Sequence, residues 1–332
     1  MNMRNWLAGQ VETKQKKSMP ILSFPCISLM NITVKELISD SSIQSQGMLK
    51  VSQRCDSLAA VSLMDLSVEA EAFGSTIRTD EDEVPTVLGS VINSIEDAEA
   101  LQVPAIGTGR TGIYIDSIKK ACQLITDRPV FAGAIGPFSL SGRLMDMTEI
   151  MVNCYTEPEM VHACLEKVTT FLIEYYKAYK AVGASGIVMA EPAAGLLSPD
   201  LIDEFSTPYV KRIADAVKSE DFLFIYHNCG NTIPLIDSIK KIEADAYHFG
   251  NTIDLEEMLK IAPSDMIIMG NVDPSSEFRH GTPESIYKAT TEVMTRCSKY
   301  PNFMISSGCD LPPLTPWENI DSYFKAVADF YK

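Results

Sequence analysis

No stretch of the 332-residue chain approaches the ~18 uninterrupted apolar residues of a membrane-spanning helix, so a membrane protein is not expected. Basic residues are in deficit, 28 against 44 acidic ones, and the formal net charge of −16 argues against a nucleic-acid partner, which needs a basic face. The segment Met1 to Lys17 is too polar for a secretory signal. The expected location is therefore cytoplasmic, and the eight cysteines are expected as reduced thiols rather than as a disulfide framework. Low-complexity linkers are missing too, so the whole chain, residues 1–332, reads as a single domain.

What is present is a run of short apolar segments alternating with amphipathic ones, the pattern of parallel βα units. Strands are expected at Pro20 to Pro25, Ser57 to Met64, Pro129 to Ile135, Gly186 to Ala190, Phe222 to Tyr226, Ala244 to Phe249, Met266 to Gly270 and Phe303 to Ser307. Helical periodicity falls between them, at Glu159 to Val182, Pro199 to Val217, Ile233 to Ile242, Leu255 to Ile261 and Thr282 to Tyr300, with a last helix from Trp317 to Tyr331. Eight strands with interleaved helices predict an α/β fold of the (β/α)8 TIM-barrel type, whose functional groups gather at the carboxyl ends of the strands. Two segments depart from the repeat. Met1 to Gln10 predicts a short N-terminal helix that plugs one end of the barrel, and Phe73 to Leu101 predicts a hairpin excursion after the second strand.

The segment Gly107-Thr108-Gly109-Arg110-Thr111-Gly112 matches the dinucleotide fingerprint formally. It follows an acidic stretch instead of a buried strand, so it predicts a flexible loop leading into a helix from Tyr114 to Leu124.

The strongest chemical signal is His227-Asn228-Cys229 at the end of the apolar run Phe222 to Tyr226, with Cys309 closing a second such run. Residues i and i+2 of a strand point to one side, so the imidazole and the thiolate can close on one ion. One nitrogen and two sulfurs suit Zn²⁺, and three protein ligands leave a position open for substrate. Buried free cysteine also serves as a small hydrophobe, so the metal reading depends on the fold bringing Cys309 to the other two. His248 shares a strand face with Ala246 and Gly250, as a fourth, displaceable ligand or as a core histidine. Asp65 and Glu191 each end an apolar strand on the same rim and are the expected catalytic acids, positioning the acceptor or the metal's outer partners.

The stretches Asp65 to Gly74, Gly136-Pro137-Phe138-Ser139-Leu140, His227-Asn228-Cys229-Gly230, Gly270-Asn271-Val272-Asp273-Pro274 and Gly308-Cys309 through Thr315-Pro316 resemble the uroporphyrinogen decarboxylase superfamily. Within it they are similar to the methylcobamide:coenzyme M methyltransferase branch. The resemblance implies a barrel in which zinc on His227, Cys229 and Cys309 binds a thiol, with a separate corrinoid protein presenting methylcobalamin as methyl donor. Coenzyme M carries a sulfonate; Arg143, Arg110 and Arg78 are the arginines expected near the rim, and Arg143 is the expected cofactor-binding residue. Decarboxylases of the superfamily carry an arginine-bearing first-strand segment where this chain reads Ser23-Phe24-Pro25-Cys26-Ile27-Ser28, which disfavours decarboxylation. More distantly similar methionine synthases place an acidic zinc ligand where Gly250 stands here. Homocysteine or tetrahydrofolate as acceptor, a zinc hydrolase, a non-catalytic corrinoid- or tetrapyrrole-binding barrel and a homo-oligomeric state stay open at this point.

Overall fold

The computed structural model describes residues 1–332. Nine strands form: β1 Ala60–Val61, β2 Thr76–Arg78, β3 Thr86–Leu88, β4 Val130–Ile135, β5 Gly186–Ala190, β6 Leu223–Asn228, β7 Ala246–Phe249, β8 Ile268–Val272 and β9 Phe303–Ser307. Seven of them make one parallel sheet in the order β1-β4-β5-β6-β7-β8-β9, each joined to the next through helical segments. The excursion after β1 is an antiparallel hairpin of β2 and β3, as its alternating residues predict.

The expected first strand, Pro20 to Pro25, is where sequence and structure part. No regular strand forms there; the segment closes the barrel between β9 and β1 by mixed bonds instead. The Met19 N–H donates to the Ile305 carbonyl (3.2 Å), the Ile21 N–H to Ser307 Oγ (3.1 Å), and the Ser23 hydroxyl to the Val61 carbonyl (2.6 Å). Pro20 has no N–H to offer a ladder, so serine hydroxyls supply the missing pairings. The expected helix Pro199 to Val217 is likewise broken at Ser206 into Pro199–Phe205 and Thr207–Val217, with Pro208 in the first turn of the second.

Strand alternation divides the interior in two. Ala132, Ile187, Met189, Phe224, Tyr226, Tyr247, Phe249, Phe303 and Ile305 face outward into the layer packed under the helices. Phe131, Val188, Leu223, Ile225, Ala246, Met269 and Met304 face inward and fill the barrel. The helix Met3–Glu12 sends Met3 and Leu7 into that inward cluster, with the Trp6 ring 6.3 Å from Phe131, so it stoppers the amino end of the barrel. Asn2 caps this helix through its side chain, and the Met3 N–H donates to the Glu220 carbonyl (2.6 Å). The outer helices bury one stripe each: Ile286, Thr290, Met294 and Cys297 recur at helical spacing along Pro283–Cys297. No helix is long and apolar enough to cross a membrane.

Because the inward cluster is small and wholly enclosed, it has little room to relax around a void. Ile225→Ala is expected to cost about 2–5 kcal/mol, read as a lowered denaturation midpoint with an unchanged denaturant slope. A midpoint within error of the parent would show that the barrel interior collapses around the deletion.

Candidate metal centre

β6 runs two residues further than the apolar pattern predicts, so His227 lies within the strand and Cys229 one residue past its end. His227 sits inward on β6, and Cys309 follows β9 on the same carboxyl rim. The result is one cluster: His227, Cys229 and Cys309 offer ligand atoms that all lie within 4.8 Å of one another. His227 Nε2 stands 3.5 Å from Cys309 Sγ. The hydrogen bond from the Cys309 thiol, followed by contact with His227, pulls the Cys229 thiol down to about 4, while the same pairing and burial push Cys309 up. The two thiols thus share one proton, which a cation bound between them would displace.

Gly250 explains how Cys229 reaches the centre. A Cβ there would meet Cys229 Cα at 2.5 Å and its Cβ at 2.6 Å, so the backbone after β6 occupies the space a side chain would need. An acidic ligand at position 250 is therefore excluded by packing. His248 is not the fourth ligand either: its Nδ1 faces His227 Nδ1 at 2.8 Å and its Nε2 faces Ser306 Oγ at 2.8 Å, so both nitrogens are engaged behind His227. Ser306 is a partner that sequence reading missed; its place on an inward-facing strand position was the available signal.

The two acids have different surroundings. Asp65 is buried and ion-paired with Arg110, and it accepts from Tyr114 Oη (2.8 Å) and from the Ser67 hydroxyl (2.6 Å). Arg110 also reaches Glu71 (2.6 Å) and Ser67 Oγ (2.8 Å). The Gly107 to Gly112 segment thus forms a turn, with positive φ at Gly107 and Gly109, that delivers Arg110 to Asp65 at the start of helix Thr111–Leu124.

Glu191 is fully buried and accepts the N–H groups of Phe138 (3.0 Å) and Ser139 (2.6 Å), at the start of helix Pro137–Met145. Its backbone is tied to the centre, because the Glu191 N–H donates to the His227 carbonyl (2.8 Å) and Asn228 Nδ2 donates to the Glu191 carbonyl (2.8 Å). Burial raises its carboxyl to about 7 against the opposing pull of those hydrogen bonds.

Glu191 therefore docks the helix that carries Arg143 in its last turn. Arg143 is half-buried, and burial lowers its pKa against the charges of Asp65 and Glu69. Asp65 is balanced by Arg110, and burial pushes Glu69 up to about 8, which leaves Glu69 protonated near neutrality. Arg78, by contrast, pairs with Asp80 on the exposed hairpin. Arg143 forms no ion pair or side-chain hydrogen bond and is the uncommitted cation of the three.

Fold and centre together define a (β/α)8 barrel with a cluster of one histidine and two cysteines, candidate metal ligands, on its carboxyl rim. The chain belongs to the uroporphyrinogen decarboxylase (URO-D) family, whose model matches residues 25–330. Among its relatives, a methylcobamide:CoM methyltransferase of Methanosarcina acetivorans is 29% identical over 273 residues, covering 80% of this chain and 78% of the relative. A methylated-thiol–coenzyme M methyltransferase of Methanosarcina mazei is 28% identical over 283 residues, covering 83% and 73%. In three dimensions a methyltransferase from Methanosarcina mazei superimposes with a TM-score of 0.87 over 100% of this chain and 99% of its own, at 22% identity.

Glu69 gives a test by pH. Its folded value of about 8 lies above the ordinary carboxyl value of 4.5, so between those limits the folded state holds a proton that the unfolded chain has released. Stability then falls as pH rises from about 4.5 to 8. Glu69→Gln, which cannot ionise, is expected to flatten that fall by up to about 1.4 kcal/mol per pH unit. Parallel stability–pH curves for parent and variant would mean that Glu69 ionises normally.

Proposed function

We propose that this protein is a zinc-dependent methyltransferase that moves a methyl group from methylcobalamin, carried by a separate corrinoid protein, to a small thiol in the cytoplasm. The observation that carries the reading is the His227, Cys229 and Cys309 cluster, a donor set suited to zinc with one position left for a substrate sulfur. A purely structural zinc would need a fourth ligand, and no further His, Cys, Asp or Glu joins the cluster. A hydrolase is less favoured, because two thiolates make the ion a poorer Lewis acid than a histidine-rich ligand set would. The relatives named for methyl transfer to coenzyme M point the same way.

Zinc at this centre would supply the positive charge that keeps a bound thiol as its nucleophilic thiolate. The acceptor sulfur forms the new S–C bond as the Co–C bond breaks; the bonding pair leaves with cobalt, which passes from Co(III) to Co(I) on the partner. The chain's own contribution is position. His227, Cys229 and Cys309 hold the reacting end at the rim, and holding two reactants in line removes much of the entropic barrier. Arg143, uncommitted and half-buried, is suited to an anionic tail on the acceptor, such as the sulfonate of coenzyme M. Glu191 sets the helix that bears Arg143, and Asp65 with Arg110 and Tyr114 braces the neighbouring wall.

Elemental analysis is expected to give one zinc per chain, with most of it lost in Cys309→Ala and most retained in Glu191→Gln, whose slower transfer reflects loss of position alone. Full metal content in Cys309→Ala would remove Cys309 from the ligand set.

The chemistry is tested by demethylation of methylcobalamin, free and protein-bound, followed by cobalt absorbance. Arg143→Met should raise the KM for 2-mercaptoethanesulfonate roughly 10- to 100-fold, the worth of a hydrogen bond to a charged group, and leave neutral 2-mercaptoethanol unchanged. Equal losses on both thiols would argue against tail recognition by Arg143; no demethylation with any thiol would sink the methyltransferase reading.

A further inference from the structure

Behind His227 runs a chain of hydrogen bonds whose direction is set by its two ends. Ser306 Oγ lies 2.7 Å from the Met19 carbonyl, which can only accept, so the serine proton points there. Ser306 Oγ then has only lone pairs for His248 Nε2 at 2.8 Å, which makes Nε2 the protonated nitrogen of that ring. In a neutral imidazole the other nitrogen, Nδ1, is an acceptor. It faces His227 Nδ1 at 2.8 Å. The His248 carbonyl, a second obligate acceptor, lies 3.2 Å from the same His227 nitrogen. Both neighbours demand a proton on His227 Nδ1, and that turns the lone pair of Nε2 toward Cys309 and the cluster.

We infer that His248 and Ser306 are positioning residues that hold His227 in the one tautomer able to ligate through Nε2. The chain crosses from β6 to β7 to β9 and ends on the segment that closes the barrel, so every member is held by a backbone element. The two histidines are direct neighbours in the parallel register, and their rings meet edge to face with centroids 4.7 Å apart. Both rings are buried, so no water competes for the two facing Nδ1 positions. Nothing in this arrangement touches substrate; it acts through His227.

The inference rests on the zinc reading for its purpose but not for its test. His248→Leu keeps the volume and removes the acceptor, whereas His248→Asn retains an oxygen where Nδ1 stood. Zinc affinity, measured by chelator competition on metal-free protein, should fall about 10- to 100-fold in His248→Leu and stay within about threefold of the parent in His248→Asn. Ser306→Ala should give an intermediate loss. Side-chain ¹⁵N spectra of metal-free protein at pH 8.5 supply the second readout: the parent and His248→Asn should show His227 protonated at Nδ1, and His248→Leu a mixture of tautomers. Unchanged affinity and an unchanged tautomer in His248→Leu would overturn the inference, as would an Asn variant as weak as the Leu one. If the parent takes up no zinc, the metal reading fails, and the spectra still decide whether His248 sets the tautomer.

Discussion

Everything at the centre depends on the register of one parallel ladder. Pairing His227 with His248 across β6 and β7 fixes two things together: the inward face on which both rings stand and the height at which Cys229 leaves the strand. A slip of one residue would turn His227 outward and bring Tyr226 into the barrel, because side chains alternate along a strand. The apolar inward positions below, Leu223, Ile225 and Ala246, enforce that register, since the same slip would exchange them for the larger outward set. Packing low in the barrel thus secures the chemistry at its rim.

Around the rim the protein has buried three carboxylates and handled each differently. Asp65 is neutralised by a guanidinium, Glu191 by two backbone amides at a helix start, and Glu69 by retaining its proton, one oxygen being left without a partner. A buried charge is tolerated only when paired, hydrogen-bonded or discharged. With Asp65 paired, Glu191 hydrogen-bonded and Glu69 discharged, Arg143 is left as an unpaired positive charge near Asp65 and Glu69 in a protein of net charge −16.

Much of this was legible in the sequence. The strands of the sheet stand out as short apolar runs, the hairpin as alternation at Thr76 to Thr79, and His-x-Cys as a period-two pair at a strand end. Cys309 was legible only through fold class, since no local pattern links residues 82 positions apart. Two features were hidden for physical reasons. Pro20 to Pro25 reads as a strand by hydrophobicity, but its pairing passes through serine hydroxyls, which carry no strand periodicity. Arg110 lies in a loop whose glycines imitate a nucleotide motif; that it belongs to Asp65 is a long-range fact, 45 residues away in the chain. The bonding of His248 was equally out of reach, because ligand and core histidines look alike until the partners of both nitrogens are known.

The helix Met3–Glu12, with Leu7 seated among the inward residues, makes the barrel a vessel with a single opening. A small molecule reaching the centre and a protein presenting its methyl group must therefore share one doorway. For the transfer proposed here this imposes an order of traffic: the thiol enters first, the corrinoid protein then closes the mouth over it, and the methylated product leaves only once that protein has withdrawn.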